Sequence, residues 1–318
     1  MLIAMLIAST GAESAPPLML EATIPLPHTS GRIDHLGADL ARKRLFVAEL
    51  GNGSVDVVDL NSKQIVHRIT GLREPQGVLY VPLADRIAVA SAGDGTVRLF
   101  SGDNFAPLGR VDLGDDADNV RLAPDGRELV VGYGSGGLAI IDPHGSVREK
   151  LALAAHPEGF QLAADGLAYV NIPDANGIAV ADLGADKVVK TWRTPGLSGN
   201  FPMALGEAGV VAVVFREPRR FVRIDVATGR ERSRDTVCGD ADDVFFDARR
   251  QRYYVSCGAG VVSAFQVGPA GVAALPPLTA SSGARTSLFV PELDRLFVAV
   301  RAGLLGSDAS ILVMRPEP

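Results

Sequence analysis

The sequence predicts a single all-β domain, a seven-bladed β-propeller with four-stranded blades, and three observations predict it. One strand-rich unit recurs seven times, and the residues that open successive copies lie 42, 42, 40, 45, 39 and 44 residues apart. A repeat of about 40 residues is the length of one four-stranded propeller blade. No window of useful length carries an apolar stripe at the 3.6-residue spacing of a helix, so almost no helix is expected.

Each unit opens with a polar or acidic step and a short apolar strand. Next comes a turn rich in Asp, Gly and Arg, then a β-branched strand. These second strands run Arg44–Ala48, Arg86–Ala90, Glu128–Gly132, Leu167–Asn171, Val210–Val214, Arg252–Ser256 and Arg295–Ala299. The third strands follow at Val55–Asp59, Val97–Ser101, Leu138–Asp142, Ile178–Asp182, Phe221–Asp225, Val261–Phe265 and Ile311–Met314. Both sets are near-continuous apolar runs rather than alternating ones, as expected of strands covered on both faces. The blades are placed at 31–70, 73–113, 115–153, 156–194, 199–237, 240–279 and 283–314. The last copy has only three strands. Leu20–Leu26, ahead of the first copy, is expected to supply the fourth, closing the ring and leaving no open sheet edge. The propeller should therefore occupy residues 19–315.

Composition narrows the function classes. The chain has 318 residues, is 47% hydrophobic and 21% charged, and carries a formal charge of −6. That balance excludes a disordered chain and argues against generic nucleic-acid binding, which needs a basic face. Residues 1–15 join an apolar run, MLIAMLIA, to small residues. They are expected to be a signal peptide, truncated because a basic leading segment is missing, with the product periplasmic or secreted. The run is too short to span a bilayer, which takes roughly 20 apolar residues, and no such run occurs elsewhere. Cys238 and Cys257 are the two cysteines. A single disulfide and two free thiols both fit the sequence. A closed ring has no long free edge, so a monomer is expected.

The Arg-Leu-Phe-Val-Ala strands at 44–48 and 295–299, the Val-Asp-Val-Val-Asp strand at 55–59 and the polar motif opening each unit resemble the YVTN-repeat family of bacterial propellers. The family's tyrosine survives mainly as Tyr254, with Phe46 and Phe297 in comparable slots. The resemblance implies a propeller over about residues 19–315 and an exported protein. It implies no particular reaction, because that family is defined by its repeat.

In a propeller, the residues that open the units converge at one mouth of the central channel. Aligned on the first apolar residue, they are Asp34, Gln76, Asp118, Glu158, Met203, Asp242 and Thr286, followed by His35, Gly77, Asn119, Gly159, Ala204, Asp243 and Ser287. Crowded inner positions should be apolar or small, and charged residues that break this rule mark functional sites. The turns between second and third strands add Arg216 and Arg301 at the same end, and Arg285 lies beside the ring. The candidate ligand-binding set is therefore Asp34, His35, Gln76, Asp118, Asn119, Glu158, Asp242, Asp243, Arg285, Arg216 and Arg301.

Three readings of this ring are open. The carboxylates can face a water-filled channel or pair with the arginines. Asp34, Asn119, Glu158 and Asp242 can form an oxygen-rich site for Ca²⁺, Mg²⁺ or Mn²⁺. Or the same groups can catalyse, with a crowded carboxylate or His35 as general base. The favoured function is a binding or scaffold module for a small molecule or protein. The alternative is a divalent-metal-dependent hydrolase, lactonase or lyase. Gly132–Gly137 matches GxGxxG but lies between two strands, so it offers no helix N-terminus to a pyrophosphate. His28 and His156 lie in links toward the ring, whereas His67 and His144 fall in outer strands or turns.

Overall fold

The computed structural model describes residues 15–303 and 308–318. The expected signal peptide therefore lies, save Ala15, outside the described residues. Seven four-stranded antiparallel sheets follow one another along the chain. The only helical turns among the described residues are four three-residue 3-10 turns, Leu50–Asn52, Pro82–Ala84, Ala92–Asp94 and Pro173–Ala175.

Blade 1 shows why these residues stack into a ring. Its strands are Leu36–Asp39, Arg44–Glu49, Ser54–Asp59 and Gln64–Ile69, in that order from inside to outside. Side chains alternate faces along a strand. Leu45 and Val47 therefore pack with Phe297 and Ile311 of blade 7, whereas Phe46 and Ala48 pack with Val78 and Ile87 of blade 2. Every interface between neighbouring blades holds such an apolar layer, which explains the near-continuous apolar runs. The outermost strand, Gln64–Ile69, is largely exposed and correspondingly polar.

The ring closes in blade 7 as expected, with a longer closing strand. Leu18–Leu26 pairs antiparallel with Ala309–Pro316, from Leu18 opposite Pro316 to Leu26 opposite Ala309. Blade 6 enters beside a disulfide between Cys238 and Cys257. Away from the acidic mouth, arginines staple blades together. Arg42 Nη1 lies 2.9 Å from Asp39 and 2.8 Å from Asp85 of the next blade. Arg250 repeats the arrangement with Asp247 at 2.9 Å and Asp294 at 2.6 Å.

Candidate binding site at the channel mouth

The inner strands reach the mouth so closely that their backbones touch. The His35 N–H donates to the Gln76 carbonyl at 3.2 Å, and the Gly159 N–H donates to the Phe201 carbonyl at 3.0 Å. Glycine is needed at two ring positions for this reason. A Cβ on Gly77 would overlap the Asp118 carbonyl oxygen, and one on Gly159 would lie 2.5 Å from the Phe201 oxygen. Most of the remaining positions carry side chains that line a cavity of about 630 Å³ along the channel.

Nine of the eleven predicted residues line this cavity: His35, Gln76, Asp118, Asn119, Glu158, Asp242, Asp243, Arg285 and Arg216. Asp34 is fully buried and sits behind His35, whose Nδ1 it contacts at 2.8 Å. Arg301 is elsewhere. It lines a separate cleft of about 160 Å³ next to the mouth.

The mouth divides into two halves. Around blades 5, 6, 7 and 1 the charges pair. Asp242 takes Arg216 Nη2 at 2.6 Å on one oxygen and Arg285 Nε at 2.9 Å on the other. Arg285 also reaches Asp240 at 3.0 Å. Asp34 is held between His35 and Arg32, whose Nη2 lies 2.7 Å away. Burial would raise the Asp34 pKa, but the hydrogen bond from His35 and the charges of His35, Arg32 and Arg285 outweigh it, and the carboxyl stays below its ordinary range. Burial works against the His35 imidazolium too, yet Asp34, Asp243 and Asp118 push it up to about 10. Asp243 accepts the Ser287 N–H at 2.7 Å, and burial nevertheless raises it to about 7.

Blades 3 and 4 form the other half, and there the acceptors are left open. Asn119 is 3% exposed and Asp118 is 6% exposed, and Oδ1 of each has no hydrogen-bond partner among the described residues. The other Asp118 oxygen faces His156 Nε2 at 3.9 Å, and His156 Nδ1 donates to the Gly134 carbonyl at 2.6 Å. These contacts raise His156 to about 9, with Asp118 the largest cause. Glu158 has no ion pair or side-chain hydrogen bond among the described residues. Burial first, and then the charge of Asp118, push it up to about 7. An unpaired buried carboxylate shifts its pKa in this direction because the charged form loses hydration.

Sequence reasoning missed Arg121, which lines the cavity on the same strand (Ala117–Leu122). Its Nη1 donates only to the neighbouring Val120 carbonyl at 2.9 Å, and its guanidinium lies 5.5 Å from the Phe160 ring centre. No carboxylate pairs with it among the described residues. Burial lowers its pKa, opposed by the more distant charges of Asp243 and Asp118. The signal was present. Three residues after the ring position the other blades carry Gly37, Leu79, Gln161, Gly206, Phe245 and Phe289, so Arg121 is the one charge at that level. Asp116 and Asp240 were missed likewise, although each stands two residues before a ring carboxylate, as Arg32 and His156 do.

The four residues of the expected metal set are divided: Asn119 and Glu158 line the cavity, whereas Asp34 and Asp242 are paired. Asp34 and Asp242 spend their oxygens on Arg32, His35, Arg216 and Arg285. Among the described residues no three His, Cys, Asp or Glu side chains are arranged to hold a metal ion. No described helix is long and apolar enough to cross a membrane.

Fold and mouth together define the class of molecule, a seven-bladed β-propeller with a polar-mouthed channel. Solved structures share that architecture. A chain of *Kuenenia stuttgartiensis* hydrazine synthase is 14% identical with a TM-score of 0.76, covering 96% of this chain and 98% of its own. A chain from the mitotic checkpoint complex is 13% identical with a TM-score of 0.81, covering 100% of this chain and 99% of its own. At such identities the likeness carries the fold alone. No protein-family model matches the sequence, and no curated protein matches it.

Proposed function

We propose that this chain is an exported binding or scaffold module of the YVTN-repeat kind that seats a small molecule or protein segment at the mouth of its channel. The observation that carries the reading is the 630 Å³ cavity whose mouth gathers seven charged or polar ring residues, with Arg216 and Arg285 beside them. A concave site with a few convergent polar groups on a rigid scaffold is the usual form of a ligand site. Two of the carboxylates that a metal-dependent hydrolase would need, Asp34 and Asp242, are paired with arginines, so recognition is favoured over that chemistry. Residues 1–15 serve as the signal peptide in this reading, residues 19–315 act as one domain, and the mature protein is a periplasmic or secreted monomer.

Native mass spectrometry tests the binding claim. The purified chain is incubated with pooled small-molecule extract, washed, and compared with Gln76→Trp, which plugs the mouth. The wild type should retain a small molecule that the plugged variant releases. Equal retention, or none by either, would remove the channel as the binding site. Export is tested by fractionation, which should find mature protein lacking residues 1–15 outside the cytoplasm; uncleaved cytoplasmic protein would refute it.

A further inference from the structure

We infer that the channel recognises a small zwitterion, a molecule with an ammonium group at one end and a carboxylate or similar anion a few carbons away. The inference rests on the channel-mouth reading and names its ligand class.

Two independent features on one strand point to it. The first is the set of open acceptors. Asn119 Oδ1 and Asp118 Oδ1 are buried against the cavity without partners, and Glu158 faces the same space unpaired. Buried polar atoms are almost always satisfied, and an unsatisfied one carries a desolvation cost. Two carboxylates and an amide oxygen turned to one space suit a group that brings several N–H bonds and a positive charge. An ammonium brings three donors and accepts nothing.

The second feature is the Arg121 guanidinium, which opens into the same cavity without a counter-ion among the described residues. Burying an unpaired charge is costly, and a guanidinium binds a carboxylate in a two-point fork. Asn119 and Arg121 are two residues apart, about 7 Å along the strand, and although the register shifts between Ala117 and Val120 both residues line the channel. A ligand that spans them carries its opposite charges about four or five carbons apart. His156 and Asp116 flank the ammonium end, with His156 Nδ1 3.6 Å from Asp116. They offset one another, so the open half as a whole favours a ligand without net charge. Inorganic cations fit poorly, because they would leave Arg121 unpaired.

The test is isothermal titration of the full chain at neutral pH with glycine, 4-aminobutyrate, 5-aminovalerate and 6-aminohexanoate, each beside its matched alkylamine and alkyl carboxylate. The account expects 4-aminobutyrate or 5-aminovalerate to bind at least tenfold more tightly than the amine or the carboxylate of the same length. Arg121→Met should erase the preference over the amine, Arg121→Lys should restore part of it, and Asp118→Asn should weaken the ω-amino acids and the amines alike. Thermal melts of the variants show that the fold is kept. Amino acids that bind no better than the matched amines, or a preference that survives Arg121→Met, would overturn the inference. If no compound binds while the wild type still retains a molecule that Gln76→Trp releases, the ligand class is wrong and the channel reading stands. If both experiments fail, both readings fall.

Discussion

Asp34 of blade 1 and Glu158 of blade 4 occupy the same position in the repeat, yet their surroundings drive them in opposite directions. Asp34 touches His35 and Arg32, and its carboxyl is held below the ordinary range. Glu158 touches no cation among the described residues, and burial lifts it to about 7. The comparison teaches that a charged ring position is not informative until its partners are counted. Half of the mouth is a closed ion-pair network of the kind that also staples blades through Arg42 and Arg250. The other half keeps acceptors and a guanidinium unspent.

The largest effect should come from breaking the closed half. Arg285 is shared by Asp242 and Asp240, and despite burial these carboxylates hold its charge in place. Arg285→Met leaves Asp242 buried with one guanidinium fewer and should cost about 3 kcal/mol in urea unfolding. A loss under about 1 kcal/mol would show that the network is solvated and the contrast weak.

A smaller loss is expected where the two halves are joined by backbone. Gly77→Ala forces a methyl group against the Asp118 carbonyl, and should cost about 2 kcal/mol, as overpacking does. Thermal denaturation checks it, and an unchanged melting temperature would show that the blades shift freely at the mouth.

The pH dependence sharpens the comparison with the smallest expected change. Glu158 and Asp243 are both raised to about 7. The folded chain therefore holds protons that the unfolded chain releases above about pH 4.5. Their contribution to stability falls as pH rises from there through about 7. Glu158→Gln should flatten part of that decline. His35, raised to about 10, acts higher: its contribution is full below about 6.5 and is lost as pH rises through 10. Urea midpoints between pH 5 and 9 separate the two; an identical profile for Glu158→Gln would mean that Glu158 is solvated and titrates alike in the folded and unfolded chain.

Much of the fold could be read from sequence because each blade repeats a local pattern. Arg44–Glu49 and its six counterparts are apolar on both faces for one reason, a neighbouring blade on each side. The missing outer strand of blade 7 was readable as well, since three strands and a spare N-terminal segment make one sheet. The site was readable only as a ring of positions. Nothing local in the sequence says that Arg216 and Arg285 converge on Asp242 from different blades while Glu158 meets no one. Those pairings depend on side chains more than 25 residues apart reaching across a closed ring. Arg121 stands three residues beyond the ring position, deeper than the two polar levels of the mouth, one charge among small, apolar and amide side chains.

The central claim is that the paired half of the mouth holds the fold and the open half does not. Urea unfolding of Asp34→Asn beside Glu158→Gln at pH 8 tests it most directly. Asp34→Asn removes the charge shared by His35 and Arg32 and should lose about 2 kcal/mol. Glu158→Gln relieves an unpaired, half-buried carboxylate and should leave stability unchanged or raised by up to about 1 kcal/mol. Equal losses in both variants would contradict the division of the mouth into a structural and a ligand-binding half.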